Sequence, residues 1–240
     1  FKDTGNYVAY MYGSRMYLKG DLNGACIDLQ YVDSPGTVDV FVQDDTTMSG
    51  NHCLLYNFRK SIDLHILPGK TLTMNLERPG TFRYTGAIRT QEGGDVTITG
   101  GGTLNIKVSG RNVKKSGESD SNGRVNRAIS ASSMELLDNA SVDITSYKNV
   151  VTDIYLFGDG DALTVNTTGH LNIKNEGNVT FADQDDDWNL RNGYPSDNIY
   201  LHGTDATFKI EKAEDGVSID SYSDLVDRWY TGGTFDMEWY

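Results

Sequence analysis

Apolar residues recur along this chain in pairs, at i and i+2, and the pairs themselves recur. Leu64 and Ile66 flank His65; after the turn Leu67-Pro68-Gly69-Lys70-Thr71 come Leu72 and Met74 around Thr73. Val96-Thr97-Ile98 leads through Thr99-Gly100-Gly101-Gly102-Thr103 to Leu104-Asn105-Ile106. Met134-Glu135-Leu136 leads to Val142-Asp143-Ile144, and Leu163-Thr164-Val165 to Leu171-Asn172-Ile173. The inner apolar residues are six apart in all four copies (66 to 72, 98 to 104, 136 to 142, 165 to 171). A fifth copy, Phe208-Lys209-Ile210 to Val217-Ser218-Ile219, has a gap of seven (210 to 217).

Alternation with period two is the pattern of a strand with one buried face. Turns rich in Gly, Asn or Asp link such strands. Helix is excluded here, because the spacing is two and many of the residues are β-branched. So short a pair cannot bury its apolar face alone, but stacked copies can line a shared core. A third strand precedes each pair: Ala87-Ile88-Arg89-Thr90, Ala128-Ile129-Ser130-Ala131, Ile154-Tyr155-Leu156 and Ile199-Tyr200-Leu201. Three short strands per repeat predict an all-β chain, a right-handed parallel β-helix (β-solenoid) with Ile98, Leu104, Ile106, Val142, Ile144, Val165, Leu171 and Ile173 inward.

The copies begin at 64, 96, 134, 163 and 208, in steps of 32, 38, 29 and 45. A bare repeat under 30 residues leaves the excess to loop insertions, placed at Ser109 to Asn126 and Gly177 to Asn198. Insertions on such folds tend to share one face, often the binding face. One domain over 1–240 is expected: irregular N-terminal coils or a cap over 1–60, regular coils over 61–220, and a C-terminal cap over 221–240. Tyr7, Tyr10 and Tyr12 at one end, and Trp229, Tyr230, Phe235, Trp239 and Tyr240 at the other, suit caps that protect open strand edges. Ser223 to Trp229 has room for a short helical turn.

Composition adjusts this picture. Hydrophobic residues make up 38% of the 240 positions, low for a thick globular core but enough for a thin one. Lys+Arg total 21 against 34 Asp+Glu, a formal charge of -13. That excess argues against nucleic acid and anionic lipid as partners, and it supplies carboxylates for calcium. No apolar run approaches the roughly 18 residues of a membrane span, so no membrane insertion is expected. The chain begins at Phe1 and reads as a mature protein or an excised domain, extracellular or on a cell surface. Cys26 and Cys53 lie 27 residues apart, about one repeat. They are either a disulfide between neighbouring repeats or two buried thiols.

The segment Gly86-Ala87-Ile88-Arg89-Thr90, followed by Val96-Thr97-Ile98-Thr99-Gly100-Gly101-Gly102-Thr103-Leu104-Asn105-Ile106, resembles the repeat signature of a bacterial family of extracellular carbohydrate-binding β-helix proteins. Ala128 to Ile144 has the same cadence, and the resemblance covers Ala87 to Ile173. It implies a pectate-lyase-like fold and binding of acidic plant cell-wall polysaccharide such as polygalacturonate. Calcium and a non-catalytic role are part of the same implication.

Candidate chemistry is concentrated in loops. Asp183, Asp185, Asp186 and Asp187 form the densest acidic run, and Asp159-Gly160-Asp161 offers a second pair. Calcium takes several oxygen ligands, which either set can supply, although neither fits the EF-hand loop. The plainer alternative is that both are solvated loop acids. Sugar recognition needs an aromatic face and polar groups for hydroxyls. Trp188, beside the acidic run, with Tyr194 and Tyr200, offers the rings. Arg89 and Arg127, placed on an outer face, are the candidate cations. Tyr194-Pro195 also reads as a simple turn, and Tyr200 as a half-buried strand residue.

His52, His65, His170 and His202 are scattered, without metal-ligand spacing. No compact lyase motif joins Arg89, Arg127, Lys114 and Lys115, and no Ser-His-Asp order or nucleotide loop is present. The reading is therefore a non-catalytic, secreted or surface-held solenoid that binds polysaccharide, with calcium as its expected ion. Two alternatives stand beside it. One is a structural or adhesive protein, an adhesin or filament unit that self-associates. The other is a polysaccharide lyase.

Overall fold

A computed structural model of the chain describes residues 7–24, 26–30, 36–51, 53–77, 84–90, 93–109, 125–147, 153–175, 199–201, 203 and 205–220. These residues form strands and turns, with no helix among them. β1 (Tyr7–Tyr12) and β2 (Arg15–Asn23) make an antiparallel hairpin across Gly13 and Ser14. Every other pairing is parallel, as in β2 against β4 (Thr37–Gly50).

The parallel strands form three files. The first comprises β3 (Ile27–Asp28), β5 (Leu55–Asn57), β8 (Tyr84–Thr90), β11 (Val125–Ala131), β14 (Ile154–Leu156) and β17 (Ile199–Leu201). The second runs from the first half of β4 through β6 (Ser61–Ile66), β9 (Val96–Thr99), β12 (Met134–Asp138) and β15 (Asp161–Thr167) to β18 (Thr207–Ala213). The third runs from the second half of β4 through β7 (Thr71–Leu76), β10 (Thr103–Ser109), β13 (Ser141–Tyr147) and β16 (Leu171–Asn175) to β19 (Val217–Asp220). From β5 to β16 each strand pairs with the third strand after it. The result is a large, nearly closed all-β assembly that fits a parallel β-solenoid or a barrel.

The registers carry the predicted apolar positions into ladders. Val38, Ile62, Val96, Met134, Leu163 and Phe208 stand opposite one another down the second file, all buried. Met48, Met74, Ile106, Ile144 and Ile173 do the same down the third. Leu55, Ile88, Ile129, Ile154 and Ile199 close the core from the first. All eight positions expected inward are at most 1% exposed. Each ladder residue packs on the one above and below, so burial on the order of 1.5–3 kcal/mol per large side chain accumulates repeat by repeat.

Before residue 60 the strands already stack into the same files, with local departures from the later repeats. β4 spans two files in one strand of 14 residues, where later repeats use two strands and a turn. Gln43, Asp44 and Asp45 are exposed at the passage between the files. Opposite them the register with β2 slips between Leu18 and Gly20. The two acids also hold the next repeat: Lys70 Nζ lies 2.6 Å from Asp44, and the Thr71 amide donates to Asp45 at 2.9 Å. The step from Val38 to Ile62 is 24 residues (62 − 38), the bare repeat without an insertion. Of the expected features, both loop insertions apart from their flanking residues, the aromatic C-terminus and the proposed turn at Ser223 to Trp229 lie outside the described residues.

The second-to-third-file turns require close backbone approach. A Cβ on Gly102 would sit 2.3 Å from Ile66 Cγ2 and 2.6 Å from the carbonyl oxygens of Leu67 and Lys70. Gly100, at φ 105°, would meet the Ile66 carbonyl at 2.5 Å. The Gly-Gly-Gly run in the sequence is thus a stacking contact as well as a turn.

Candidate functional site

Three outer faces follow from the three files. On the first, Asp28, Tyr56, Arg89, Ser130, Tyr155 and Tyr200 occupy one register line. The Arg89 guanidinium lies 5.7 Å from the Tyr56 ring centre, and both residues are half-buried. Arg127 lies 3.6 Å over the Tyr155 ring and contacts Ser130 Oγ at 3.4 Å. At 4% and 7% exposure, Arg127 and Tyr155 form a packed cation–π pair rather than an open platform. Arg127 and Arg89 are not register partners: Arg127 stands opposite Gly86 and Arg89 opposite Ser130. Tyr200 is placed in β17, opposite Tyr155.

The remaining sequence candidates divide in two. Trp188, Tyr194, Asp183, Asp185, Asp186 and Asp187 lie outside the described residues. Asp159 and Asp161 are exposed around Gly160 at the start of β15. Asp161 accepts the Thr207 hydroxyl at 3.0 Å, and the Gly160 carbonyl accepts the Thr207 amide at 2.7 Å. That loop is thereby tied to the next repeat. Cys26 and Cys53 are both free thiols, the first exposed as a residue and the second buried. The structure thus holds neither the expected disulfide nor the expected pair of buried thiols.

The third face is a lattice of hydroxyls, amides and charges of both signs. Thr47, Thr73, Asn105, Asp143, Asn172 and Ser218 share one outward line. Ser49, Asn75, Lys107, Thr145, Lys174 and Asp220 share the next. His170 and Asn172 both reach Asp143 Oδ1, at 3.0 and 3.1 Å. Lys107 and Lys174 are exposed and stand two strands apart. Sequence reasoning passed over both, because a lysine alternating with core residues looks like any solvated strand residue. Only the register puts them on one line.

The second face is the most organised. Tyr17, Phe41 and His65 stack along one line, with ring centres 5.3 and 4.6 Å apart and interplanar angles of 19° and 14°. Both faces of Phe41 are covered within the stack, and Tyr17 and His65 each have one face against it. Beside them run Arg15, Asp39, Asp63 and Thr97. His65 Nε2 is 3.7 Å from Asp39 Oδ1, and Arg15 Nε is 3.8 Å from Asp39 Oδ2. Burial raises the Asp63 pKa, and the nearby Asp39 and Asp95 carboxylates raise it further; the Thr97 hydroxyl and His65 oppose the shift. Asp95 itself accepts Ser133 Oγ at 2.8 Å and pairs with Ser61.

The expectation that no histidine has metal-ligand spacing is corrected here. Asp39, Asp63 and His65 each present one ligand atom, all within 4.8 Å of one another, and no other such trio of His, Cys, Asp or Glu occurs among the described residues. The local signal was Asp63-x-His65, an i, i+2 pair on one face of β6. Asp39, 24 residues upstream, is supplied only by strand pairing.

No family model, no curated protein and no solved structure matches this chain. Among the described residues no helix is long and apolar enough to cross a membrane.

Proposed function

We propose that this chain is a right-handed parallel β-solenoid, extracellular or on a cell surface, that binds extended acidic polysaccharide on its third face without cleaving it. The right-handed sense follows the strong preference of crossovers between parallel strands. The observation that carries the function is the alignment of Lys107 and Lys174, two strands apart on one outward line, flanked by Thr73, Asn105, Asp143, Thr145 and Asn172. Strands recur every 4.7–4.9 Å or so, so hydroxyl, amide and ammonium groups repeat along the stack at short, regular intervals. An extended sugar chain lying along that direction meets hydroxyl or amide groups on most strands, and its carboxylates meet Lys107 and approach Lys174, which stands opposite Asp220 of the next strand. Individually weak contacts then add up along one ligand. The resemblance at Ala87 to Ile106 supports the same ligand class.

The net charge of -13 opposes a polyanion over long distance. Calcium is therefore the expected aid, bridging protein carboxylates and uronates through oxygen. Its proposed protein ligands are the run Asp183 to Asp187, since Asp159 and Asp161 sit at the start of β15 in the second file. Trp188 and Tyr194 are the proposed aromatic contribution; Arg89 and Tyr200 stand on the first face, away from this line.

Affinity electrophoresis in polygalacturonate and in a neutral glucan, each with calcium or chelator, tests the reading. Retardation by polygalacturonate is expected, strongest with calcium and reduced several-fold in Lys107→Ala/Lys174→Ala. No unsaturated uronate should accumulate. Migration unaffected by any polysaccharide would overturn the binding function, and product release would make the chain a lyase.

A further inference from the structure

The second face carries an arrangement that polysaccharide binding does not use. Asp63 and His65 project from the same side of β6, and Asp39 stands directly opposite Asp63 on β4. Like charges directly opposite across strands are unfavourable. Arg15 offsets little of this, since its side chain is 59% exposed and it reaches only Asp39 Oδ2, at 3.8 Å. Asp39 Oδ1 is turned instead toward His65 Nε2 at 3.7 Å. The His65 ring is fixed by its stack on Phe41, so that nitrogen is already oriented. Thr97, next in line on β9, holds the Asp63 carboxylate from the other side through its hydroxyl. Two carboxylates and one oriented imidazole thus converge on a patch of half-exposed surface.

We propose that Asp39, Asp63 and His65 form a three-ligand site for a divalent transition ion of the zinc class, with its remaining position open to solvent. The donor set selects the ion. One imidazole nitrogen and two carboxylate oxygens suit zinc and its neighbours. Calcium takes six to eight or so ligands, all oxygen, and gains nothing from the imidazole. The geometry is close to what zinc needs: metal–ligand bonds of about 2.0–2.2 Å put tetrahedral ligand atoms roughly 3.3–3.6 Å apart. The 3.7 Å between His65 and Asp39 lies near that range, and all three atoms are within 4.8 Å, so small side-chain rotations close the site. The ion would clamp β4 to β6 and turn a repulsive cross-strand pair into a bridge. Three protein ligands and an open position can also accept a carboxylate or hydroxyl from outside. The site lies on a different face from the two lysines and does not depend on the polysaccharide reading.

Calorimetric titration of zinc chloride into the chelator-stripped full chain tests the site, with cobalt(II) as a spectroscopic substitute. One zinc per chain is expected, with visible cobalt bands that zinc displaces and millimolar calcium leaves unchanged. Zinc should also raise the melting midpoint, as a ligand of the folded state does. His65→Gln and Asp63→Asn should each weaken zinc at least roughly tenfold, the scale of losing even an outer-shell partner. His170→Gln, whose ring pairs with Asp143 on the third face, should bind as the parent does. Circular dichroism checks that each variant folds; should His65→Gln fail, Asp63→Asn and the parent cobalt spectrum decide. Equal affinity in parent and Asp63→Asn, or no protein-dependent cobalt band, would overturn the assignment.

Discussion

Leu104 and Gly102 lie two residues apart and obey opposite constraints. Leu104 is fully buried between Leu72 and Val142 in the third-file ladder. Leu104→Ala should cost about 2–5 kcal/mol in urea denaturation, from lost burial plus the cavity. Leu104→Asp should prevent folding or cost more, since its charge would lack a partner. Gly102 fails in the other direction. An added methyl meets two backbone oxygens at 2.6 Å, which cannot step aside. Gly102→Ala should therefore cost at least roughly 1–3 kcal/mol of overpacking. Gly36, exposed with nothing within 4 Å of its would-be Cβ, is the control and should change stability by less than about 0.5 kcal/mol as alanine.

Between elements, the neighbouring strands β4 and β6 and the joint between β3 and β5 both respond to protons. Asp63 has a raised pKa, so the folded state holds its proton more tightly than the unfolded chain does. Its contribution is fully present below the ordinary carboxylate pKa and is lost as pH rises through the folded value. In metal-free buffer at neutral pH, Asp63→Asn should then melt at or above the parent, as differential scanning calorimetry would read. A clearly lower midpoint would mean the carboxylate is stabilising without an ion. At the other joint, Cys26 is pushed from 9.0 to about 11 by burial of its sulfur, then by Cys53 and by Asp28. Burial also raises Cys53. Both thiols stay protonated in the folded state while the unfolded chain ionises near its ordinary value. Stability should thus fall as pH climbs from 9.0 toward 11. Alkylation at pH 8 should be slow on the folded chain and fast in urea; equal rates would remove the desolvation argument.

At the scale of the whole molecule, the large sheet begins and ends within one repeat. Its path runs from β18 through β4 to β19, and both ends belong to the repeat that starts with β17. In a solenoid, each repeat leans only on its neighbours, so stability is close to a sum of repeats and interfaces. Ending the chain after Asn175, which removes β17 to β19, should lower the urea midpoint but leave a cooperative fold with β-type circular dichroism. A closed barrel cannot lose wall strands this way. Loss of all structure on that truncation would count against the solenoid.

The inward ladders were legible in the sequence because a strand's buried face is encoded locally. Val96-Thr97-Ile98 and Leu104-Asn105-Ile106 alternate whatever they stack on, and the Gly-rich turn between them is visible as such. The all-β character followed from the same period. That Lys107 and Lys174 share a line, or that Asp39 meets His65, is a matter of register between strands well separated in the chain, by 24 to 45 residues along the second file (38 to 62, 163 to 208). Loops of unequal length carry no period, so the sequence leaves that register open. β4 concealed one repeat further, by joining two files without a turn. The ladders decide register in space, because a slip of one residue would turn every apolar side chain outward. The outer faces, and with them the two lysines and the Asp-Asp-His trio, are assembled as a consequence of burying the inner ones.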